Sequence, residues 1–271
     1  MPCRGAWPHL KETDAEFASQ GLKVIALSDE PLDLVEPYVE QLDLDFTVAA
    51  GSSAADAYGV TGIPHSVLID PDGNVAWVGS PYGLSKGTVK KALKGAHKPK
   101  VEFLSVRLPK PVEGRAAKAA DLAVDGQLGL ARKEIEAVLA DDKAGDEAKG
   151  QATELKTAID AKVKALEGRV EKLVQNREPE LALKVLDGIE KELGSGEEAA
   201  RAKKRSDEIA ADPKMKAELD ASKAFDRLKE AIRPLKKDKS KPKIEEFAKK
   251  YEGTHAGERA KYLLLGMRGK G

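Results

Sequence analysis

PCRGAWPHL, residues 2–10, contains the only cysteine among 271 residues, and reading outward from it decides the fold of the first third of the chain. Cys3 is followed by a basic residue, Arg4, and then by Pro8 and Leu10. PHLKETDAEFASQG (8–21) carries apolar residues at Leu10, Phe17 and Ala18 with charges between them and Gly21 as a stop, which predicts a helix. LKVIALS (22–28) is a continuous apolar run of strand length, as expected of a strand covered on both faces of a parallel sheet. PLDLVEPYVEQL (31–42) predicts a second helix, with Pro31 at its start and Pro37 as an irregularity. FTVAAG (46–51) predicts a strand, and SSAADAYGV (52–60) a short helix capped by Ser52 or Ser53. TGIPHSVLIDPDGNVAWVG (61–79) predicts strands at 65–69 and 75–78, joined by a turn so short that they must be antiparallel neighbours. LSKGTVKKALKGA (84–96) closes with a helix.

This order is α/β. A right-handed strand–helix–strand crossover needs a strand ahead of the first helix, and none precedes Cys3 in these residues. The expectation is an α/β domain lacking its first strand. Taken with GIPHSVLIDPDGNV (62–75), the opening resembles the TlpA/ResA-like thiol-disulfide oxidoreductases of the thioredoxin superfamily. Their pattern is a strand ending in Trp-Cys-x-x-Cys, a basic residue, a proline four or five residues later, and a Gly-x-Pro with a cis proline before the hairpin. Pro2, Cys3, Arg4, Pro8 and Leu10 match the first part, and Gly62, Pro64, Asp70 and Gly73 the second. The resemblance covers residues 1–96. It places Met1 and Pro2 at the two x positions, so Cys3 is the second, resolving cysteine, and the nucleophilic cysteine falls one residue before Met1. In that family the missing strand is central in the sheet, so the resemblance implies two open strand edges and a broad apolar face, and an N-terminally truncated chain whose Met1 is internal to a Cys-Met-Pro-Cys motif.

The chemistry implied by the resemblance is thiol–disulfide exchange. A thiolate at a helix N-terminus attacks a disulfide, and the second cysteine resolves the mixed disulfide. Cys3 alone cannot complete that dithiol cycle, though it can form a mixed disulfide or be oxidised; the other reading is a buried, inert thiol. The resemblance also marks Pro2, Trp7, Ile63 and Pro64 as substrate-binding, with the backbone of Ile63 pairing an extended substrate segment. Trp7 reads equally as an exposed aromatic on the first helix. Ala6 departs from the acidic residue common in the family. His9 and His65 offer a weak metal set with Cys3, and DPDGN (70–74) lacks the later Glu of a calcium loop, so neither metal nor cofactor is expected.

Beyond residue 98 the composition changes. The chain has 46 basic and 46 acidic residues, but residues 1–98 carry −5 and residues 99–271 carry +5. Aromatics fall from 7 to 5 across the same boundary, and Ala, Lys, Glu and Leu dominate, a helix-forming mixture. We read an incomplete thioredoxin-like domain at 1–98, a linker at 99–112 around three prolines, and an all-α helical-hairpin domain at 113–271. A faint repeat with an offset of 51 aligns LARKEIEAV (130–138) with LALKVLDGI (181–189) and GDEAKG (145–150) with GEEAAR (196–201). EEFAKKYEGTHAGERAKYLL (245–264) resembles a tetratricopeptide-like joint, which implies a surface for a protein partner. RPLKKDKSKPK (233–243) has 6 basic residues but no interleaved aromatics, so it reads as a solvated inter-helix linker rather than a nucleic-acid site. No run is long and apolar enough to span a bilayer, and the first ten residues do not read as a signal peptide. The resemblance nevertheless implies an extracytoplasmic setting for the longer form. The functional expectation is a disulfide reductase impaired by its missing nucleophile, exchanging with protein thiols and a redox donor protein. The alternative is a non-catalytic thioredoxin-fold and helical-repeat binding module.

Overall fold

The computed structural model describes residues 2–268 except Asp43, Asp45, His97, Pro99, Pro109 and Ser195. The chain divides into two compact units, one made of Met1–Lys98 with Arg259–Gly271, the other of Pro99–Glu258.

In the first unit the elements run α1 (Pro2–Phe17), β1 (Ile25–Leu27), α2 (Leu32–Leu42), β2 (Thr47–Ala49), α3 (Ala54–Ala57), β3 (Ser66–Ile69), β4 (Val75–Gly79) and α4 (Lys86–Ala92). Local chemistry sets their ends. A short 310 turn after α1 stops at Gly21, whose φ of 103° suits glycine and whose N–H donates to the Ala18 carbonyl. Ser52, rather than Ser53, accepts from the Ala54 N–H ahead of α3. Ser85 accepts from the Thr88 N–H at 3.1 Å and so caps α4. In the hairpin turn Asp70 Oδ1 accepts from the N–H groups of Asp72 and Asn74, which occupies this oxygen with backbone. The core is small: Phe17, Leu68, Leu84, Val89 and Ala92, with Leu22, Trp77 and Leu93 around it.

β1 pairs in parallel with β2, Ile25 opposite Thr47, and β3 pairs antiparallel with β4, Ser66 opposite Gly79. Among the described residues these are two separate two-stranded sheets, so β1 and β3 each carry a partner on one side only. That corrects the expectation that LKVIALS lies covered on both faces. Ile25 and Leu27 are 54% and 52% exposed, and Ile69, Val75 and Val78 are about half exposed as well. Ile25 and Leu27, two residues apart, share one face of β1, and their exposure leaves that face uncovered among the described residues.

The second unit is helical: α5 (Ala117–Val124), α6 (Leu128–Ala140), α7 (Asp146–Gln175), α8 (Pro179–Leu193), α9 (Glu197–Ala211), α10 (Pro213–Ile232) and α11 (Lys237–Lys250), with α12 (His255–Arg268) following. From α5 to α11 each helix packs on the next. Leu128, Ile135, Leu155, Ile159, Val163, Leu186 and Ile189 form the centre of one continuous core. LARKEIEAV lies on α6 and LALKVLDGI on α8, while GDEAKG and GEEAAR open α7 and α9. Both of those helices start from a glycine N-cap followed by two acidic residues, which suit the positive end of a helix.

Two stretches read as linkers are structured. Within 99–112, Leu104 and Val106 are buried, the Val101 N–H donates to Asp125, and the Val106 N–H donates to Ala123. Phe103 packs against Gly188 of α8 so closely that a β-carbon there would lie 2.3 Å from its ring. The apolar VEFLSV run outweighs the flanking prolines. Within 233–243, α11 starts at Lys237 and continues through Pro242. Proline removes one intrahelical hydrogen bond, but the buried stripe of Ser240, Ile244, Phe247 and Ala248 holds the helix in place.

Candidate functional site

Cys3 lies in the first turn of α1, half-buried and with a free thiol. The first N–H groups of a helix have no intrahelical acceptor, so this turn presents donors and the positive end of the helix. Met1 lies outside the described residues, and so does the side chain of Pro2.

The residues after Cys3 are fixed by three different neighbours. The Arg4 guanidinium stands 4.9 Å from the ring centre of Tyr38 on α2. Trp7 packs its ring 5.8 Å from that of Phe46, tilted by 40°, so it is a half-buried partner of the strand region rather than an exposed aromatic. Ala6 is 2% exposed, so the position where the family commonly carries an acid is here a buried methyl group. On the other side of α1, a β-carbon at Gly5 would come within 2.5 Å of the Tyr82 hydroxyl. His9 Nε2 sits 3.2 Å from the Leu84 carbonyl oxygen.

The second half of the motif has a different environment. The Ile63–Pro64 peptide bond is cis. Ile63 is 73% exposed, the highest value among the large apolar residues of the chain that are described, and Pro64 is half-buried. Next to them, His65 Nε2 is buried without a hydrogen-bond partner. With His9 directed at a backbone carbonyl, the weak set of Cys3, His9 and His65 finds no support as a ligand group. No cluster of three or more His, Cys, Asp or Glu side chains able to hold a metal occurs among the described residues. No described helix is long and apolar enough to cross a membrane.

A second polar constellation, not marked by any sequence motif, lies in the helical unit. A cleft of about 320 Å³ is lined by Arg132, Glu136, Lys156, Asp160, Glu198 and Arg201 among others. Arg132 donates through both terminal nitrogens to the Glu198 carboxylate, and through Nη2 to Asp160 at 2.6 Å. The hydrogen bond from Arg132 holds the Glu198 carboxyl below the usual carboxylate range, against the opposing effect of burial. The partners come from α6, α7 and α9, far apart in sequence, and no local pattern announces them.

Comparison with known proteins bears on residues at the start of the chain. A profile of the AhpC/TSA family, a thioredoxin-superfamily domain, matches residues 1–78. Thiol-disulfide oxidoreductase ResA of Bacillus thuringiensis subsp. konkukian is 38% identical over 77 residues, covering 27% of this chain and 44% of that protein. ResA of Halalkalibacterium halodurans is 31% identical over 80 residues, covering 28% of this chain and 46% of that protein. The chain spans less than half the length of these relatives. No solved structure matches the chain. The first unit therefore carries a thioredoxin-superfamily domain related to thiol-disulfide oxidoreductases, and the rest of the described chain is predominantly helical.

Proposed function

We propose that the first unit acts in thiol–disulfide exchange, with Cys3 as the resolving thiol of a Cys-x-x-Cys pair. The observation that carries this is the matched stretch from residue 1 to 78, which sets the single cysteine in the opening turn of α1. In the proposed cycle a nucleophilic thiolate, on an apolar strand lying along the open edges of β1 and β3, attacks a substrate disulfide and releases one substrate thiolate. The Cys3 thiolate then attacks the resulting mixed disulfide, releases the second substrate thiolate and closes a Cys-x-x-Cys disulfide, so two electrons pass to the substrate. A redox donor protein returns them. Ile63, Pro64, Pro2 and Trp7 are the proposed substrate contacts. The exposure of Ile63 supports that role. The proposed setting of the longer form is extracytoplasmic, a reading that rests on the family resemblance.

The helical unit, read as an array of αα-hairpins, is the proposed docking module for a protein partner. A second reading, favoured by the single cysteine, makes the whole chain a non-catalytic binding module. Disulfide reduction by dithiothreitol separates the two. A form extended by an apolar strand and a cysteine before Met1 turns over above the uncatalysed rate if the first reading holds, while the 271-residue chain does not. An extended form without turnover favours the binding module.

A further inference from the structure

The hairpin tip between α10 and α11 concentrates the positive charge of the second half of the chain. α10 ends at Ile232, a turn of four residues follows, and α11 starts at Lys237. Residues 227–243 carry eight basic side chains against Glu230 and Asp238, a balance of +6. Residues 99–271 together carry +5, so everything in that stretch outside the tip is close to neutral. Arg233, Lys236, Lys237, Lys239 and Lys243 are exposed, and none of the five has an ion pair among the described residues. Lys241 stands 3.7 Å from Glu245. Elsewhere arginines are tied down, as Arg132 is to Glu198, Arg201 to Glu167 and Arg205 to Glu171. Local stability does not ask for these lysines. Lys236 and Lys237 sit at the N-terminal, positive end of α11, where a cation is unfavourable.

The side chains of the tip narrow the choice of partner. Residues 227–243 contain no aromatic, Asn or Gln to stack on a base or read its edge. Leu228, Ile232 and Leu235 are half-buried, so no exposed large apolar group is present to enter hydrocarbon. What remains is a compact set of ammonium groups on flexible stems. Lys237 to Lys243 covers about 9 Å of helix. The same length of a nucleic-acid duplex holds about five phosphates on both strands together, and only some of them face one side. An anionic bilayer offers instead a plane of headgroups that move laterally and gather under a compact cluster.

We propose that the α10–α11 tip docks the chain on an anionic lipid bilayer, at the level of the headgroups and by charge alone. This is adsorption to a surface and needs no helix able to cross it. Each basic residue held near such a surface strengthens binding about fivefold. The chain as a whole has a net charge of zero, so attraction depends on where the charge sits and not on its total. The inference is independent of the role of Cys3.

The test sediments the full chain at low salt with vesicles of phosphatidylcholine, alone or mixed with an equal part of phosphatidylglycerol. The chain goes down with the mixed vesicles and not with phosphatidylcholine, and added salt releases it. Replacing Lys236, Lys237, Lys239 and Lys243 together by Gln weakens binding to the mixed vesicles by about tenfold or more. Replacing Lys90, Lys91, Lys94 and Lys98 by Gln removes the same charge from the first unit and keeps binding within about twofold of wild type. Arg233→Gln, in the turn between the two helices, gives a loss of about two- to fivefold and reads the tip without touching α11. Helical circular dichroism of each variant matches that of wild type. A wild-type chain that ignores the mixed vesicles, or equal loss in the two quadruple variants, overturns the proposal. A DNA duplex that strips the chain from the mixed vesicles at equal phosphate concentration assigns the tip to nucleic acid and overturns it as well.

Discussion

Replacing Arg132 by alanine removes the cation that joins α6 to α7 and α9. Its side chain is 25% exposed and that of Glu198 19%, with paired hydrogen bonds between them and a further bond to Asp160. Exposed ion pairs contribute about 0–1 kcal/mol, whereas breaking a fully buried pair costs about 3–5 kcal/mol. Hydrogen bonds to charged groups lie at about 1.5–3 kcal/mol. With roughly a fifth to a quarter of each side chain in water, the Arg132→Ala penalty comes to about 2 kcal/mol by these limits. For a unit of this size, residues 99–258, that lowers Tm by about 4–8 °C. The pH dependence has a definite sign. Arg132 depresses the Glu198 carboxyl in the folded state, so the stabilisation is complete above the unfolded value of about 4.3. It is lost as pH falls through the lower folded value. Thermal melts followed by helical circular dichroism therefore show the full gap between wild type and Arg132→Ala at pH 7, and a shrinking gap below about pH 4. A gap under about 0.5 kcal/mol at pH 7, or one of equal size in acid, refutes this account of the junction.

Two other outcomes follow from the first unit. Phe17 is completely buried among Leu68, Val89 and their neighbours, so Phe17→Ala costs about 3–5 kcal/mol. Trp7 and Trp77 are the only tryptophans, so their fluorescence reports this loss in denaturant, while the helical signal of residues 99–258 keeps its midpoint. The double substitution Ile25→Thr, Leu27→Thr changes side chains that are about half exposed. It reduces binding of an apolar dye to the folded chain without lowering the tryptophan-monitored midpoint; unchanged dye binding places the exposed apolar surface elsewhere.

Much of the first unit was legible because local rules and the motif agree. Gly21, Ser85 and Asp70 stop or cap their elements through contacts within a few residues. The element order from α1 to α4 follows from runs that a period-2 or period-3.6 pattern distinguishes. What local pattern does not carry is the neighbour across space. The exposure of Ile25 and Leu27 depends on whether another layer covers their face of β1, and the placement of Arg4 on Tyr38 depends on how α2 returns past α1. Tyr82 meets Gly5 from 77 positions further along the chain, and Glu198 meets Arg132 from 66 further along, spans over which periodicity says nothing. The two misread linkers show the same limit from the other side. Prolines and lysines mark breaks statistically, but Leu104, Val106, Ile244 and Phe247 gain more from burial than the prolines lose in hydrogen bonding.

In the proposed cycle Cys3 resolves a mixed disulfide formed one turn earlier. Mass spectrometry of an extended form, carrying an apolar strand and Cys-Met-Pro-Cys, after treatment with oxidised glutathione tests this directly. An intramolecular disulfide is expected, seen as the loss of two hydrogens with no glutathione retained, and a persistent glutathione adduct only when Cys3 is replaced by serine. An adduct equally persistent with Cys3 present contradicts it.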